Sequence, residues 1–257
     1  MDLSEINFAV LVASLIVAST PLVLAALGEL IVEKSGVLNL GVEGMMIIGA
    51  VAGFIVGVET GSAYIGMIAA AVAGALLSLL FAFIILIMQA NQVASGLALT
   101  IFGLGIAALM GHPYTGIKSP QISTISIPIL NEIPILGTMF FRHDFIVYLS
   151  LFSVLAIWYF LTRMRVGLIL RSVGEDHDVA HSLGYRVITI RFLAIVFGGA
   201  MAGVGGGYLS LVRVPQWTEG MTAGAGWIAL ALVVFSGWRP FRLLIGAYIF
   251  GGITILQ

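Results

Sequence analysis

Two histidines, His177 and His181, lie four residues apart among acidic residues, a pattern that could support metal chemistry. On a helix this spacing places both imidazoles on one face, where they could bind a metal ion. No cysteine and no HExxH pattern accompanies the pair. The neighbouring carboxylates of Glu175, Asp176 and Asp178 favour the alternative, a solvated and acidic helix face.

The segment around these histidines, 163–191, is the longest charged stretch of the chain and predicts a short helix over 175–184. Gly174 frees the start of this helix, and two acids occupy its first turn, where the helix dipole favours negative charge. Gly184 stands where the helix is expected to stop.

Three apolar residues, Val179, Ala180 and Leu183, give the short helix a stripe at spacings of three and four. Arg171 and Arg186 flank it, and we expect them to hold its register against a partner. A short helix with an apolar stripe and charged flanks, placed between two membrane spans, is suited to docking on a soluble protein.

A second polar group, Asn39 and Glu43, is predicted to share one face of a helix that begins near Val37. Glu43 then lies about 10 Å inside the span, at 1.5 Å per residue. A carboxylate inside a membrane is unfavourable and usually faces a cavity or a partner. Two interpretations stay open: an element of a translocation path or gate, and a structural pair that locks two helices.

Three further features each have two interpretations. Asn91 and Gln92 line a path or belong to a solvated turn. Trp217 is a membrane anchor, which is the usual role of an interfacial tryptophan, or contacts a substrate. The glycine cluster 203–207 follows an apolar helix rather than a strand, which favours close helix packing over nucleotide binding.

Composition indicates a polytopic membrane protein. The 257 residues are 60% hydrophobic and 9% charged, with a mean hydropathy of +1.15, whereas soluble domains carry about 25% charged residues. A net charge of -1 gives no basic field for nucleic acid, and the absence of cysteine excludes disulfides and thiolate metal sites. No GxxxxGK[ST] loop is present for ATP, and no catalytic constellation is visible.

Apolar runs predict an all-α membrane bundle, a single transmembrane domain over 1–257 with about eight visible spans. The predicted spans are 8–31, 37–57, 63–88, 93–111, 144–162, 192–212, 224–237 and 243–257.

Lysine and arginine placement predicts the orientation, because cytoplasmic loops carry the excess of both. One set of loops holds eight of them: Lys34, Arg163, Arg165, Arg171, Arg186, Arg191, Arg239 and Arg242. The other set holds three: Lys118, Arg142 and Arg213. We therefore expect the loop 163–191 to be cytoplasmic and the N-terminus to be external.

The largest external loop is predicted over 112–143. Its four prolines and the alternation over Gln121–Ile127 favour a short hairpin or an interfacial loop over a span. The loop is either a cap that faces an external partner or a plain connector.

Three stretches together resemble the permease subunits of bacterial ABC importers for nucleosides and simple sugars. They are SGVLNLGVEGMM at 35–46, NQVASGLAL at 91–99 and RSVGEDHDVAHSLG at 171–184. The last is similar to the family's coupling region, where the permease contacts the ATP-binding subunit. Members usually continue past the point where this chain stops, so Gln257 is expected to mark a truncation.

The resemblance implies a multi-pass subunit in the bacterial plasma membrane, surrounded by lipid. Its implied partners are a cytoplasmic ABC ATPase, an external substrate-binding lipoprotein and a second permease subunit, identical or related. ATP is then bound by the ATPase, and this chain is not an enzyme and carries no cofactor. The coupling residues implied are Arg171, Gly174, Glu175, Asp176, Ala180, Leu183, Gly184 and Arg186.

One alternative from another class stays open. In a secondary transporter driven by an ion gradient, Glu43 would be the coupling carboxylate. One buried acid without partners makes a poor proton relay, and such a transporter leaves the docking helix without a purpose.

Overall fold

The computed structural model describes residues 8–126 and 136–256, and these form a helical bundle with one short hairpin. Within this part of the chain, six helices are long and apolar enough to cross a membrane, so the predicted all-α membrane bundle is confirmed. They are α1 (Phe8–Lys34), α2 (Val42–Thr60), α3 (Ala63–Ala82, extended by a π-helical turn over Phe83–Ile87), α4 (Gln92–Gly111), α6 (Phe145–Arg163) and α9 (Val187–Tyr208, extended by a π-helical turn over Leu209–Arg213).

The remaining elements are shorter. They are the 3₁₀ turn His112–Tyr114, β1 (Ile125–Ser126), α5 (Leu136–Phe140), β2 (Arg142–His143), α7 (Arg165–Glu175), α8 (His177–Ser182), α10 (Ala225–Phe235) and α11 (Pro240–Leu256). The 11 residues of α10 extend only about 16 Å, roughly half of a bilayer core. The run predicted over 224–237 is therefore a half-length apolar helix, which begins at Ala225 and ends at Phe235.

Two predicted helix starts also differ from the structure. Helix α2 begins at Val42 rather than Val37, since the residues before it are held in a non-helical conformation by partners on other helices. Helix α9 begins at Val187 rather than 192 and includes Arg191. The Nε of Arg191 donates to the carbonyl oxygen of Ser35 at 3.1 Å, so this charged residue of α9 has a partner in the chain directly after α1.

Helix α9 lies at the centre of the bundle and contacts α1, α2 and α3. Its glycines allow the backbones to approach closely. A Cβ on Gly203 would collide with the carbonyl oxygen of Ala70, and a Cβ on Gly206 would collide with that of Met46. The glycine cluster 203–207 is therefore a helix-packing surface.

Basic residues predicted to lie on one side of the membrane do gather at one end of the bundle. Lys34, Arg171, Arg239 and Arg242 line a single cavity there, and we call this the basic end. The opposite end carries the hydrogen bond from the hydroxyl of Tyr114 to Glu59, at 2.8 Å.

The loop between α4 and α6 contains the hairpin that its sequence predicts. Strand β1 pairs antiparallel with β2, with Ile125 opposite His143. The predicted alternation continues to Ile127, but 127–135 lie outside the described residues.

Candidate functional site

The connection between α1 and α2, residues 35–41, is a non-helical segment held inside the bundle by side chains. Asn39 donates from its backbone N to Glu29 Oε1 and from Nδ2 to Glu29 Oε2, each at 3.2 Å. Its Oδ1 accepts from the backbone N of Gly41 at 3.1 Å. Glu29 and Asn39 are both buried, so the amide satisfies the carboxylate and also shapes the turn.

Other helices complete the hydrogen bonding of this segment. The backbone N of Leu38 donates to Gln92 Oε1 at 2.9 Å, and Thr100 Oγ1 donates to the carbonyl oxygen of Leu40 at 3.1 Å. Irregular backbone at membrane depth is tolerated only where protein or a water-filled cavity satisfies it. The segment is thus fixed to α1 and α4 before α2 begins.

Glu43, in the first turn of α2, binds the start of α10. Its Oε1 accepts from Thr222 Oγ1 at 2.6 Å and from the backbone N of Gly224 at 3.0 Å. Its Oε2 accepts from the backbone N of Gly226 at 2.7 Å. All three partners donate, which is the pattern that an ionised carboxylate accepts, and the positive end of the α10 dipole favours that charge.

Gly226 makes this contact possible. A Cβ at this position would lie 2.5 Å from the Cα of Glu43, so any side chain would push α10 away from α2. Gly224 precedes the helix with a φ of +84°, a left-handed conformation that suits glycine. The sequence therefore places glycine at both backbone positions that the carboxylate reaches.

The predicted pairing of Asn39 and Glu43 on one helical face is wrong, because Asn39 precedes α2 and binds Glu29 instead. Both oxygens of Glu43 are occupied, so this residue connects two helices. Asn91 is exposed and caps α4 by accepting from the backbone N of Ala94 at 3.0 Å, and Gln92 binds the 35–41 segment. A role of these four residues in a path stays a prediction.

Sequence reasoning missed two residues of this site. Glu29 could have been found, because an acid within an apolar run predicts a buried partner. Thr222 carries no such signal, since a threonine near a membrane surface has many ordinary roles. Its importance follows only from the distance to Glu43.

The predicted docking helix is present as α8, and it is shorter than expected. It begins at His177 rather than Glu175, because Asp176 caps it by accepting from the backbone N of Asp178 and of Val179, each at 3.0 Å. Glu175 instead ends α7. Gly184 follows α8 with a φ of +88° and ends it as predicted.

The apolar stripe of α8 divides between the bundle and the surface. Ala180 is 1% exposed, whereas Val179 is 54% and Leu183 is 70% exposed. The helix is thus anchored on one side and presents two aliphatic side chains on the other. Nothing in the described part of the chain covers those two side chains, which are available to a partner.

Gly174 lies within α7 rather than at the start of the docking helix. A Cβ here would collide with the carbonyl oxygen of Lys34, so this glycine lets α7 pack against the end of α1. Arg171, one turn earlier, lines the cavity at the basic end, and Arg186 is exposed immediately before α9. The eight predicted coupling residues therefore differ in exposure. Five of them are exposed, namely Glu175, Asp176, Leu183, Gly184 and Arg186, whereas the other three are partly or fully buried.

The histidines of α8 are both exposed. His177 Nε2 lies 3.6 Å from Asp178 Oδ1. Within residues 8–126 and 136–256, no group of three His, Asp or Glu side chains is placed to hold a metal ion.

Trp217 is not the interfacial anchor that the sequence suggested. It is 2% exposed, and a Cβ on Gly111 would collide with its indole ring. The backbone beside it pairs with the chain after α4, since the backbone N of Ser119 donates to the carbonyl oxygen of Pro215 at 3.1 Å. The ring thus packs against the C-terminal end of α4, which lies opposite the basic end.

Known proteins resemble this chain over most of its length. A putative glucose ABC transporter permease protein of Haloferax volcanii is 43% identical over 244 residues, which are 93% of this chain and 74% of that protein. A guanosine ABC transporter permease protein of Bacillus subtilis is 36% identical, over 98% of this chain and 82% of its own. A nucleoside ABC transporter permease protein of Lactococcus lactis is 30% identical, over 96% and 81%.

The structure agrees with these similarities. It is a helical membrane bundle in which the backbone of residues 35–41 is hydrogen-bonded by other helices and α8 is exposed at one end. Residues 11–257 match the family described as branched-chain amino acid transport system, permease component. The chain therefore belongs to this family of ABC transporter permease subunits.

Proposed function

We propose that this permease imports nucleosides or related simple sugars, driven by ATP that a separate cytoplasmic ATPase hydrolyses. The observation that carries the proposal is α8, which is fixed to the bundle through Ala180 and presents Val179 and Leu183 outward. Exposed aliphatic side chains on a short, capped helix suit the groove of a soluble protein. A rigid helix of this kind transmits a displacement to α7 and α9, between which it lies.

The coupling segment extends beyond α8 itself. Asp176 and Gly184 fix its two ends, and Gly174 joins α7 to the end of α1. A displacement of α8 is therefore transmitted through α7 to α1, because the backbone at Gly174 contacts the backbone at Lys34 with no side chain between them. Arg171, Glu175 and Arg186 supply charge around the docking face.

The substrate class rests on the named relatives, which carry glucose, guanosine or nucleosides by their descriptions. Ribose-containing or hexose ligands share hydroxyl groups, which need hydrogen-bonding side chains in a path. Asn39 and Glu43 lie at the start of α2, and Asn91 and Gln92 lie at the start of α4, where Gln92 accepts from the backbone N of Leu38. We propose that a path passes this region, with Asn91 the most accessible of the four.

The implied assembly contains a second permease subunit, identical or related, and an external substrate-binding lipoprotein. The basic end then faces the cytoplasm, as the positive-inside rule requires, and the complex lies in a bacterial plasma membrane. In this arrangement ATP is bound on the ATPase, and the permease itself needs no cofactor.

Site-directed cross-linking tests the coupling claim directly, because the chain contains no cysteine. Leu183→Cys is expected to cross-link to a single cysteine in the ATPase groove, with a yield that changes on ATP binding. Lys118→Cys is the matched control and should give no cross-link. An ATPase that cross-links equally to both positions would contradict docking at α8.

Uptake by the complete complex tests the substrate claim. Labelled nucleoside uptake should be competed by unlabelled nucleosides or by the free sugar, and not by branched-chain amino acids. Competition by leucine alone would remove nucleosides and sugars as the substrate class.

The secondary-transporter alternative loses its main support in the structure. Its coupling carboxylate would be Glu43, which already accepts three hydrogen bonds from α10 and the segment before it. Repeated protonation would break contacts that hold two helices together.

A further inference from the structure

A cavity of about 630 Å³ opens at the basic end, between α6, α7 and the turn that joins α10 to α11. Four cationic side chains line it: Lys34, Arg171, Arg239 and Arg242. Within the described residues, none of the four has a carboxylate oxygen within 4.0 Å. Four unpaired cations around one cavity repel each other, and an anion in the cavity would relieve that repulsion.

Arg171 gives an independent indication of a ligand. Its Nε is buried and has no hydrogen-bond partner in the part of the chain that the structure describes. A buried donor without an acceptor is unfavourable by about 1–3 kcal/mol, so native proteins rarely leave one. The guanidinium of arginine suits phosphate oxygens in particular, because it donates two parallel hydrogen bonds.

Aromatic rings form the apolar part of the same cavity. Trp158 and Phe241 pack with ring centroids 5.7 Å apart, and Lys34 Nζ lies 5.6 Å from the centroid of the Trp238 ring. Tryptophan and long cations at helix ends are typical of the headgroup level of a bilayer. The cavity thus has the positive charge that binds phosphate, and it has the side chains that are typical of the headgroup level.

The acid next to Lys34 in the chain, Glu33, binds the turn between α10 and α11. Glu33 accepts through Oε2 from the indole Nε1 of Trp238, and it is not among the residues that line the cavity. Trp238 itself adopts a left-handed φ of +54° directly after Gly237, at +61°. These contacts fix the turn that presents Arg239 and Arg242.

We infer that this cavity binds the phosphate headgroup of an anionic phospholipid, with Arg171, Arg239, Arg242 and Lys34 as its ligands. Basic pockets between membrane helices are a general solution for such headgroups. The lipid would join the ends of α1, α6 and α7 to the α10–α11 turn. This inference is independent of which solute the permease carries.

Native mass spectrometry of the permease complex from nanodiscs tests the inference. The discs contain equal amounts of phosphatidylglycerol and phosphatidylcholine, and the retained lipid is identified. The double variant R239Q/R242Q should retain roughly fivefold less phosphatidylglycerol for each cation removed. The control R163Q/R165Q removes two exposed cations from the same end that do not line the cavity, and it should match the wild type.

Three outcomes would overturn the inference. Equal loss in both double variants would indicate general surface attraction rather than a site. Equal retention of the two lipids by the wild type would show that no anionic headgroup is selected. Displacement of phosphatidylglycerol by millimolar inorganic phosphate would assign the cavity to a soluble anion.

Discussion

The hydroxyl of Thr222 lies 2.6 Å from Oε1 of Glu43, although 179 residues separate them in the chain. This contact joins the first turn of α2 to the segment that precedes α10. Because α10 has only 11 residues, its N-terminus is expected to lie inside the membrane, where its free N–H groups need acceptors. Glu43 accepts from two backbone N–H groups at this end, those of Gly224 and Gly226. Its negative charge also balances the positive end of the α10 dipole.

Removal of the Thr222 hydroxyl tests this relationship. Thr222→Val keeps the shape of the side chain and should lower the free energy of unfolding by about 1.5–3 kcal/mol, the range for hydrogen bonds to charged groups. Thr222→Ser retains the hydroxyl and serves as the control. The measurement is the melting temperature of the purified complex, and equal values for the two variants would contradict the account.

Glu43→Gln should be more damaging than Thr222→Val. The amide replaces one carboxylate oxygen by an NH₂ group, which then faces the backbone N–H of Gly224 or Gly226. The new NH₂ group and the backbone N–H are both donors, so the hydrogen bond is lost and a buried polar group is left unsatisfied. A Gln variant as stable and active as the wild type would show that Glu43 does not hold α10.

Close helix packing at α9 makes a second kind of prediction. Gly206→Ala should prevent correct assembly, because the new methyl group collides with the carbonyl oxygen of Met46 in the backbone of α2. Gly105→Ala in α4 is the control, since a Cβ there meets nothing within 4 Å and alanine is favoured over glycine in helices by about 1 kcal/mol. Yield of monodisperse protein after solubilisation distinguishes them.

Docking at α8 is tested by changing its exposed apolar residue. Leu183→Glu should abolish binding of the ATPase while the permease still inserts, because the side chain is 70% exposed and the new charge stays in contact with solvent. Met164→Glu places the same charge on another exposed apolar residue of the same segment and should leave ATPase binding intact. Co-purification of the ATPase measures both, and retention by Leu183→Glu would contradict the docking role.

Sequence patterns predicted the helices well where a span is bounded by polar residues. The predicted runs 63–88 and 144–162 correspond to α3 with its π-helical turn and to α6, within one residue at each end. Such helices form because apolar side chains face lipid or neighbouring helices, and that preference is local. The basic end was predictable from the placement of lysine and arginine in the loops, which is also a local property of the sequence.

The remaining features depend on contacts between distant parts of the chain. Residues 35–41 are non-helical because Glu29, Gln92 and Thr100 supply their hydrogen bonds. The acid within an apolar run predicts that Glu29 has a buried partner, but no local pattern indicates which residue that is. Trp217 is buried because Gly111 leaves room for its ring. The sequence shows both residues but not their pairing.

Cysteine accessibility tests the orientation on which the coupling account depends. In intact cells, a membrane-impermeant thiol reagent should label Lys118→Cys and should not label Leu183→Cys until the cells are opened. Both side chains are exposed in the structure, so differences in burial do not explain a difference in labelling. The reverse pattern would place α8 outside the cell.

Uptake with an inactive ATPase distinguishes ATP-driven import from transport driven by an ion gradient. The complete complex is compared with one whose ATPase binds but does not hydrolyse ATP, using labelled nucleosides. If import is driven by ATP, uptake disappears with the inactive ATPase and resists a protonophore. Uptake that continues with the inactive ATPase and collapses with the protonophore would contradict it.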